Sequence, residues 1–318
     1  MLMNGLLLSE RYYKFFGKPM IEKKFPDYLN RIAIGLVGEG SECFGFDDTV
    51  SMDHEWGPSF CMWLSEHDYK DIGKELQTAY NDLPKEFAGI SFGKRTNEAI
   101  SRIGVFETNA FYEKFIGLRE PPISWDEWIG IRETNLAACT NGKIFYDAFG
   151  EFSYFRNKLL DFYPQDVRLK KIADRCFVIS REGQYNFMRC VSRSELVAAQ
   201  LAESKFIEAV ISLTFLINWN YTPYYKWMHR ALYFLPILGI KMHELLLQLS
   251  SLKCGVKKNE FYNQKSELIE TICGYLVGEL NRQQNSNLKS SFLLDHAYAI
   301  LQQIENEEVK NYNSRDIL

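Results

Sequence analysis

"GLVGEGSECFGFDDTVSMDHEWGPSFCMWL", residues 35–64, is the stretch from which the fold of this chain is read. Its first part is small and glycine-rich, its end is apolar and β-prone, and Asp53, His54 and Glu55 stand between them. "IAIGLV" (32–37) is an apolar run ended by Gly38 and reads as a strand, and "GPSFCMWLSE" (57–66) reads as a second. Alternate residues of a strand share a face. Asp53 and Glu55, opening the second strand, therefore project side by side, with His54 opposite as a packed or surface residue. Two carboxylates held that close repel and lose hydration unless a cation sits between them. A hard divalent ion such as Mg²⁺ takes one or two carboxylates and completes its shell with water and phosphate oxygens. Gly40 and Ser41 offer the complement, exposed amides and a hydroxyl for phosphate. Glycine at 38 and 40 lets a triphosphate come close to the backbone. Asp47 and Asp48 read as a solvated turn.

Outward from this stretch, residues 6–31 read as helical and "DYKDIGKELQTAYNDL" (68–83) as an amphipathic helix stopped by Pro84. "RIGVFETNAF" offers a third strand running into a helix that Asn109 could cap. Another helix follows "PPISWDEW", and "TNGKIFYDAFGEF" (140–152) has the turn chemistry of a hairpin or tight loop. From about 155 onward, apolar periodicity of helical length runs through 156–182, 194–219, 223–250, 258–283 and 288–306. The expected architecture is α+β. A mixed sheet with helices fills residues 1–155, and an all-α helical bundle fills 156–318. The last dozen residues are polar and read as frayed.

Composition bounds the function. The chain has 318 residues, 46% hydrophobic and 15% aromatic, with a net charge of -4, which gives no electrostatic ground for general binding to nucleic acid or to an anionic membrane. Seven cysteines are scattered without a CxxC pair or a zinc-like Cys/His spacing, and most lie in apolar runs. They read as reduced core thiols of a cytoplasmic protein. The N-terminal stretch lacks a basic n-region and a small-residue cleavage site, so no signal peptide is expected. The apolar runs around 206–219 and 231–249 are too short and too broken by Glu208, Pro236, Gly239, Lys241 and Glu244 to span a bilayer.

Gly40-Ser41, eleven further residues, and then Asp53-His54-Glu55 resemble the signature of the nucleotidyltransferase superfamily, which includes polymerase-β-like enzymes and aminoglycoside nucleotidyltransferases. "GSECFGFDDTVSMDHEWGP", "TNGKIFYDAFGEF" and "NYTPYYKW" are similar to an uncharacterised bacterial branch of it, the domain of unknown function 4037 (DUF4037) family. Glu39 departs from the apolar residue usual before the glycine. The resemblance implies a nucleotidyltransferase fold followed by a helical domain that closes the active-site cleft. It implies transfer of a nucleoside monophosphate, with AMP from ATP the expected case, to a hydroxyl of an acceptor such as an aminoglycoside-like compound.

On that reading one or two Mg²⁺ ions sit on Asp53 and Glu55, while Gly40 and Ser41 hold the β- and γ-phosphates. A third carboxylate of the superfamily binds metal or acts as base. Glu107, in "GVFETN" on the third strand, is preferred to Asp147, whose position before a glycine-containing turn suits an Asx-turn, and Glu133 ranks behind both. In "NYTPYYKW" the resemblance makes Lys226, Tyr221 and Tyr225 contacts of the triphosphate. The same residues also suit a Pro-initiated helix with an aromatic core face. Arg189 and Arg193 read as a solvated face that could reach phosphate. Two further expectations stay open: a transferase that modifies protein or RNA, and a non-catalytic nucleotide-binding module.

Overall fold

The computed structural model describes residues 4–51, 56–91, 102–253 and 258–313, with the backbone alone at 258 and 259. Among these the chain is α+β, with a small mixed sheet in its first half and helices throughout its second. Two compact units divide it: Met1–Pro122 with Asn135–Asp161, and Ile123–Thr134 with Phe162–Leu318. The division falls six residues beyond the expected boundary at 155. It also assigns a short segment, 123–134, to the second unit.

In the first unit four strands run in the order β5–β2–β1–β6. Strand β1 (Ala33–Leu36) pairs antiparallel with β2 (Cys61–Leu64), Gly35 opposite Cys61, and antiparallel with β6 (Lys143–Tyr146). Strand β5 (Gly104–Glu107) lies parallel to β2, with Gly104 level with Cys61 and Glu107 level with Leu64. Parallel neighbours need a crossover, and helix α3 (Glu66–Asn81) lies in that connection. Ser65 starts it by accepting from the Asp68 amide at 3.2 Å, and Glu66 and Asp68 sit in the first turn, where the helix dipole favours acids. A short pair, β3 (Glu86–Phe87) with β4 (Ile90–Ser91), was not foreseen.

The run "FCMWL" is apolar at every position because β2 is covered on both faces. Met62 and Leu64 enter a core with Tyr12, Tyr13, Ile21 and Leu76, supplied by α1 (Gly5–Tyr12), α2 (Lys18–Lys24) and α3. On the other side Trp63 stacks on Phe152 at 3.9 Å and meets Phe111 edge-on at 5.4 Å. Those partners come from α4 (Thr108–Ile116) and, later in the chain, Glu151–Leu160. Of the hairpin or tight loop expected at 140–152, the tight loop is found: edge strand β6, a turn, and that helix. Nor does Asn109 cap α4. The strand turns into helix at Glu107, and no side chain caps the joint.

The second unit is helical: α5 (Trp125–Gly130), the start of α6 (Glu133–Thr140), α8 (Gln165–Val178), α9 (Phe187–Ser192) and α10 (Leu196–Ile217), then α11 (Tyr225–Leu232), α12 (Gly239–Ser251), α13 (Lys258–Arg282), α14 (Leu293–Leu301) and α15 (Glu307–Asn311); α7 is Glu151–Leu160. Two expected helices are cut by proline, which removes a donor and crowds the preceding turn. The 156–182 segment breaks before Pro164 and 223–250 breaks at Pro236. Cys43, Cys61, Cys139, Cys176 and Cys273 are buried, and burial pushes the Cys61 thiol up to about 12, far from reactivity. No helix among the described residues is long and apolar enough to cross a membrane.

Candidate functional site

The glycine-rich loop leaves β1 under a firm clamp. Asn141 donates its Nδ2 to the Gly38 carbonyl at 2.7 Å and accepts from the Gly38 amide at 3.0 Å. Next to it the Gly142 amide donates to Cys43 O at 2.9 Å. Gly142 has φ +66°, and a Cβ there would collide with the Leu36 carbonyl, so only glycine serves. The "TNG" of "TNGKIFYDAFGEF" is thus the anchor of the loop. Within the loop Cys43 N donates to Gly40 O at 3.0 Å and Phe46 N to Ser41 O at 2.9 Å. The Gly40 amide points at the Cys43 sulfur, and the Ser41 amide donates to no partner among the described residues.

Glu42 is the residue the sequence reading missed. A Cβ on Gly40 would meet its carboxyl group, which therefore lies folded over the glycine, and Ser41 Oγ donates to it at 3.4 Å. Burial raises its pKa above the ordinary carboxylate value, and the nearby charge of Asp47 adds to the effect. Asp47 itself is not a solvated turn residue. Its Oδ2 accepts from the Gly5 amide at 2.8 Å and from Trp56 Nε1 at 3.2 Å, tying the loop to α1. Asp48 does behave as a turn residue, accepting from the Val50 and Ser51 amides. Asp53, His54 and Glu55 lie outside the described residues.

Beside the loop a cavity of about 180 Å³ runs along α4, lined by Gly38, Glu39, Arg102, Phe106, Glu107 and Lys114 among others. Glu39 Oε2 stands 3.7 Å from Arg102 Nε and 3.6 Å from Lys114 Nζ, loose pairs of half-exposed groups. Glu107 is at the other end. Arg119 grips it at 2.5 Å while also holding Glu113 at 2.9 Å. The register fixes this separation, because Glu107 is level with Leu64 whereas Leu36 falls level with residue 60. Four strand positions, roughly 13 Å, separate Glu107 from the end where the loop leaves β1. The cavity joins the two ends, but the structure does not bring Glu107 against Gly40 and Ser41. Lys114 escaped notice in the sequence, although Phe111, Lys114 and Phe115 share a helix face by their spacing. Asp147 forms the expected turn, its Oδ1 accepting from Gly150 N and its Oδ2 from Ser153 N, both at 2.8 Å.

In the second unit Glu133 is buried and fully engaged. Arg175 Nη2 donates to it at 2.8 Å, Thr222 Oγ1 at 2.6 Å and Ser212 Oγ at 3.1 Å. Burial works against its charge, but Arg175 and Lys171 with the two hydroxyls hold its pKa below the ordinary value. Lys171, also buried, is depressed to about 8 by desolvation. Tyr221 is a core residue, stacked on Phe162 at 4.8 Å and edge-on to Tyr163 at 5.3 Å. Tyr225 and Lys226 are exposed at the start of α11, Tyr225 resting against Tyr224. Arg189 and Arg193 are exposed, Arg189 lying over the Tyr185 ring.

Residues 128–228 match the family model of DUF4037, a domain of unknown function. The DUF4037 match takes in Glu133, the Asn141–Gly142 anchor, β6 and the segment 220–227, and the glycine-rich stretch precedes it. No curated protein and no solved structure matches the chain.

Proposed function

We propose that this chain is a Mg²⁺-dependent nucleotidyltransferase that moves a nucleoside monophosphate, AMP from ATP in the expected case, to a hydroxyl of a small acceptor. One observation carries the reading. The Gly38–Ser41 loop, pinned by Asn141, leaves a central strand with the Ser41 amide unpartnered among the described residues, and an open amide in a glycine-rich turn suits a phosphate oxygen. Arg102 and Lys114 add positive charge beside it. Asp53 and Glu55 would hold the ion, and their hard oxygen donors match Mg²⁺. When bound, the ion would neutralise charge on the displaced phosphates. Glu107, at the far end of the cavity and committed to Arg119, would orient an acceptor and not deprotonate it.

A second reading is a nucleotide-binding module without turnover; in either case the Glu42 carboxyl, which covers Gly40 where a phosphate would approach, would have to swing aside. One experiment separates them: thermal shift with the four NTPs, with and without Mg²⁺, beside an assay for pyrophosphate release. Mg²⁺-dependent stabilisation by an NTP together with turnover, both lost in Asp53→Asn and Glu55→Gln, supports transfer. Stabilisation without turnover at any acceptor tried supports the module. No stabilisation by any NTP removes both.

A further inference from the structure

We infer that the cavity along α4 is a binding site for a single flat ring carrying one anionic group, a carboxylate or a phosphate. Size comes first. At about 180 Å³ it is smaller than the ~300–1,000 Å³ of sites for drug-sized ligands, yet an apolar cavity of about 150 Å³ suffices for benzene. One ring and one substituent fill it. The walls suit a ring: Phe106, Phe111, Phe115 and Tyr69 contribute aromatic surface and Val37 and Ala110 aliphatic surface. Aromatic rings reward a flat partner in stacked or edge-on contact.

The charged rim sets the substituent. Four charged groups line the cavity: Glu39, Arg102, Glu107 and Lys114. Glu107 is neutralised from outside by Arg119, which leaves the end near the loop to Glu39, Arg102 and Lys114. There Lys114 Nζ stands 3.6 Å from Glu39 Oε2 and 5.4 Å from the centre of the Phe115 ring. The first distance exceeds that of a charge-assisted hydrogen bond, ~2.7–2.9 Å, so the ammonium is not saturated by Glu39. Nearly half of the Lys114 side chain is exposed. An anionic group on a ring seated against the Phe111–Phe115 pair, whose centroids are 5.2 Å apart, would meet this ammonium directly. A cationic ligand would meet the Lys114 ammonium at the same place. The site stands whether or not the neighbouring loop binds a triphosphate.

The test uses the full chain and four probes of one shape: benzoate, phenyl phosphate, benzyl alcohol and benzylamine, each titrated by ligand-observed NMR. Benzoate or phenyl phosphate is expected to bind saturably with a Kd of about 1 mM or tighter, the range open to so small a molecule, and at least tenfold more tightly than benzyl alcohol or benzylamine. Ala110→Leu fills the cavity and should abolish binding of every probe with the melting temperature kept. Lys114→Gln, at a half-exposed position, should erase the preference for the anions while leaving benzyl alcohol unchanged. Tighter binding of benzoate than of phenyl phosphate identifies the ligand as an aryl carboxylate, and the reverse order as an aryl phosphate. Binding that survives Ala110→Leu, an anion preference that survives Lys114→Gln, or no saturable binding of any probe overturns the assignment.

Discussion

Two clusters of charge in this molecule look alike in the sequence and differ in kind. In the first unit Glu39 faces Arg102 and Lys114 at 3.6–3.7 Å, with side chains 41–49% exposed, beside a cavity. In the second, Glu133 is buried and bound by Arg175, Thr222 and Ser212 at 2.6–2.8 Å and 3.1 Å, with Lys171 close by. A surface pair of the first sort contributes at most about 1 kcal/mol to stability, so the Lys114 ammonium remains available to a ligand. In a buried set of the second sort the carboxylate is taken up by three donors, and removing it strands them. The difference marks the first as a place to bind and the second as a place to hold helices together.

The largest expected effect tests the second half of that contrast. Glu133→Gln leaves Arg175 and Lys171 buried without their carboxylate and should cost about 3–5 kcal/mol, read as a fall in the denaturation midpoint at constant slope. Glu39→Gln, by the same measurement, should cost less than about 1 kcal/mol. Equal losses in the two variants would dissolve the comparison.

Next in size is the cost of burying Lys171. The groups around it are Glu133, Arg175 and Asp174, with the Ile129 carbonyl at 3.5 Å and the Tyr163 ring at 4.9 Å. Desolvation lowers its pKa from 10.5 to about 8, against the opposing pull of Glu133. The folded chain therefore gives up this proton earlier than the unfolded chain. Below pH 8 both forms are protonated and the whole penalty is present. Between about 8 and 10.5 the unfolded chain binds more protons, so this group's contribution to stability rises with pH. Lys171→Met removes the term; desolvation of the ammonium outweighs the pull of Glu133, and Arg175 still holds that carboxylate, so the loss of this one charge is not penalised. The variant should be at least as stable as the parent at pH 7. Its advantage should shrink steadily toward pH 10.5, which urea titrations across that range would show. A gap independent of pH would mean that Lys171 does not titrate in the window.

Much of the fold was legible because periodicity reports burial. "IAIGLV" and "FCMWL" are strands since both faces of β2 are packed, and the helices of the second unit follow their apolar spacing. Contacts distant in sequence were not legible. Nothing local to Asp47 announces the Gly5 amide that it accepts from, and nothing in "ETNLAACT" announces that Glu133 meets Arg175, Ser212 and Thr222. The candidate site divides by the kind of signal that names its residues. Gly40 and Ser41 were named from their residue types, whereas the position of Glu107 depended on strand register, which a single sequence does not print. Asp53 and Glu55 lie outside the described residues.

A smaller effect belongs to Asp147, which supports structure within the first unit. Its two oxygens accept from Gly150 N and Ser153 N at the start of α7. Asp147→Ala should cost about 0.5–2 kcal/mol, the range for loss of an N-terminal cap, with nucleotide affinity unchanged in a calorimetric titration. A loss of nucleotide binding at unchanged stability would instead return Asp147 to the list of candidate catalytic acids.

The smallest effect on stability is expected at Lys226, which carries the contrast into the second unit. It is exposed at the start of α11, near Tyr224 and Tyr225, and makes no ion pair among the described residues. Nothing in the fold depends on its charge, so Lys226→Met should change stability by less than about 0.5 kcal/mol, as for other surface substitutions. Its ammonium is a point charge suited to phosphate. If an exposed, unsaturated cation marks a binding surface here as Lys114 does in the first unit, the substitution should weaken ATP by roughly 10- to 100-fold, the worth of one charge-assisted contact of about 1.5–3 kcal/mol. Adenosine, which lacks the phosphates, should bind the variant and the parent equally. Calorimetric titration with the pair of ligands reads both numbers on one protein. Equal ATP affinity in variant and parent would take Lys226 out of the site, and exposure of a cation would then no longer be enough to mark a ligand-binding place in this chain without a cavity beside it.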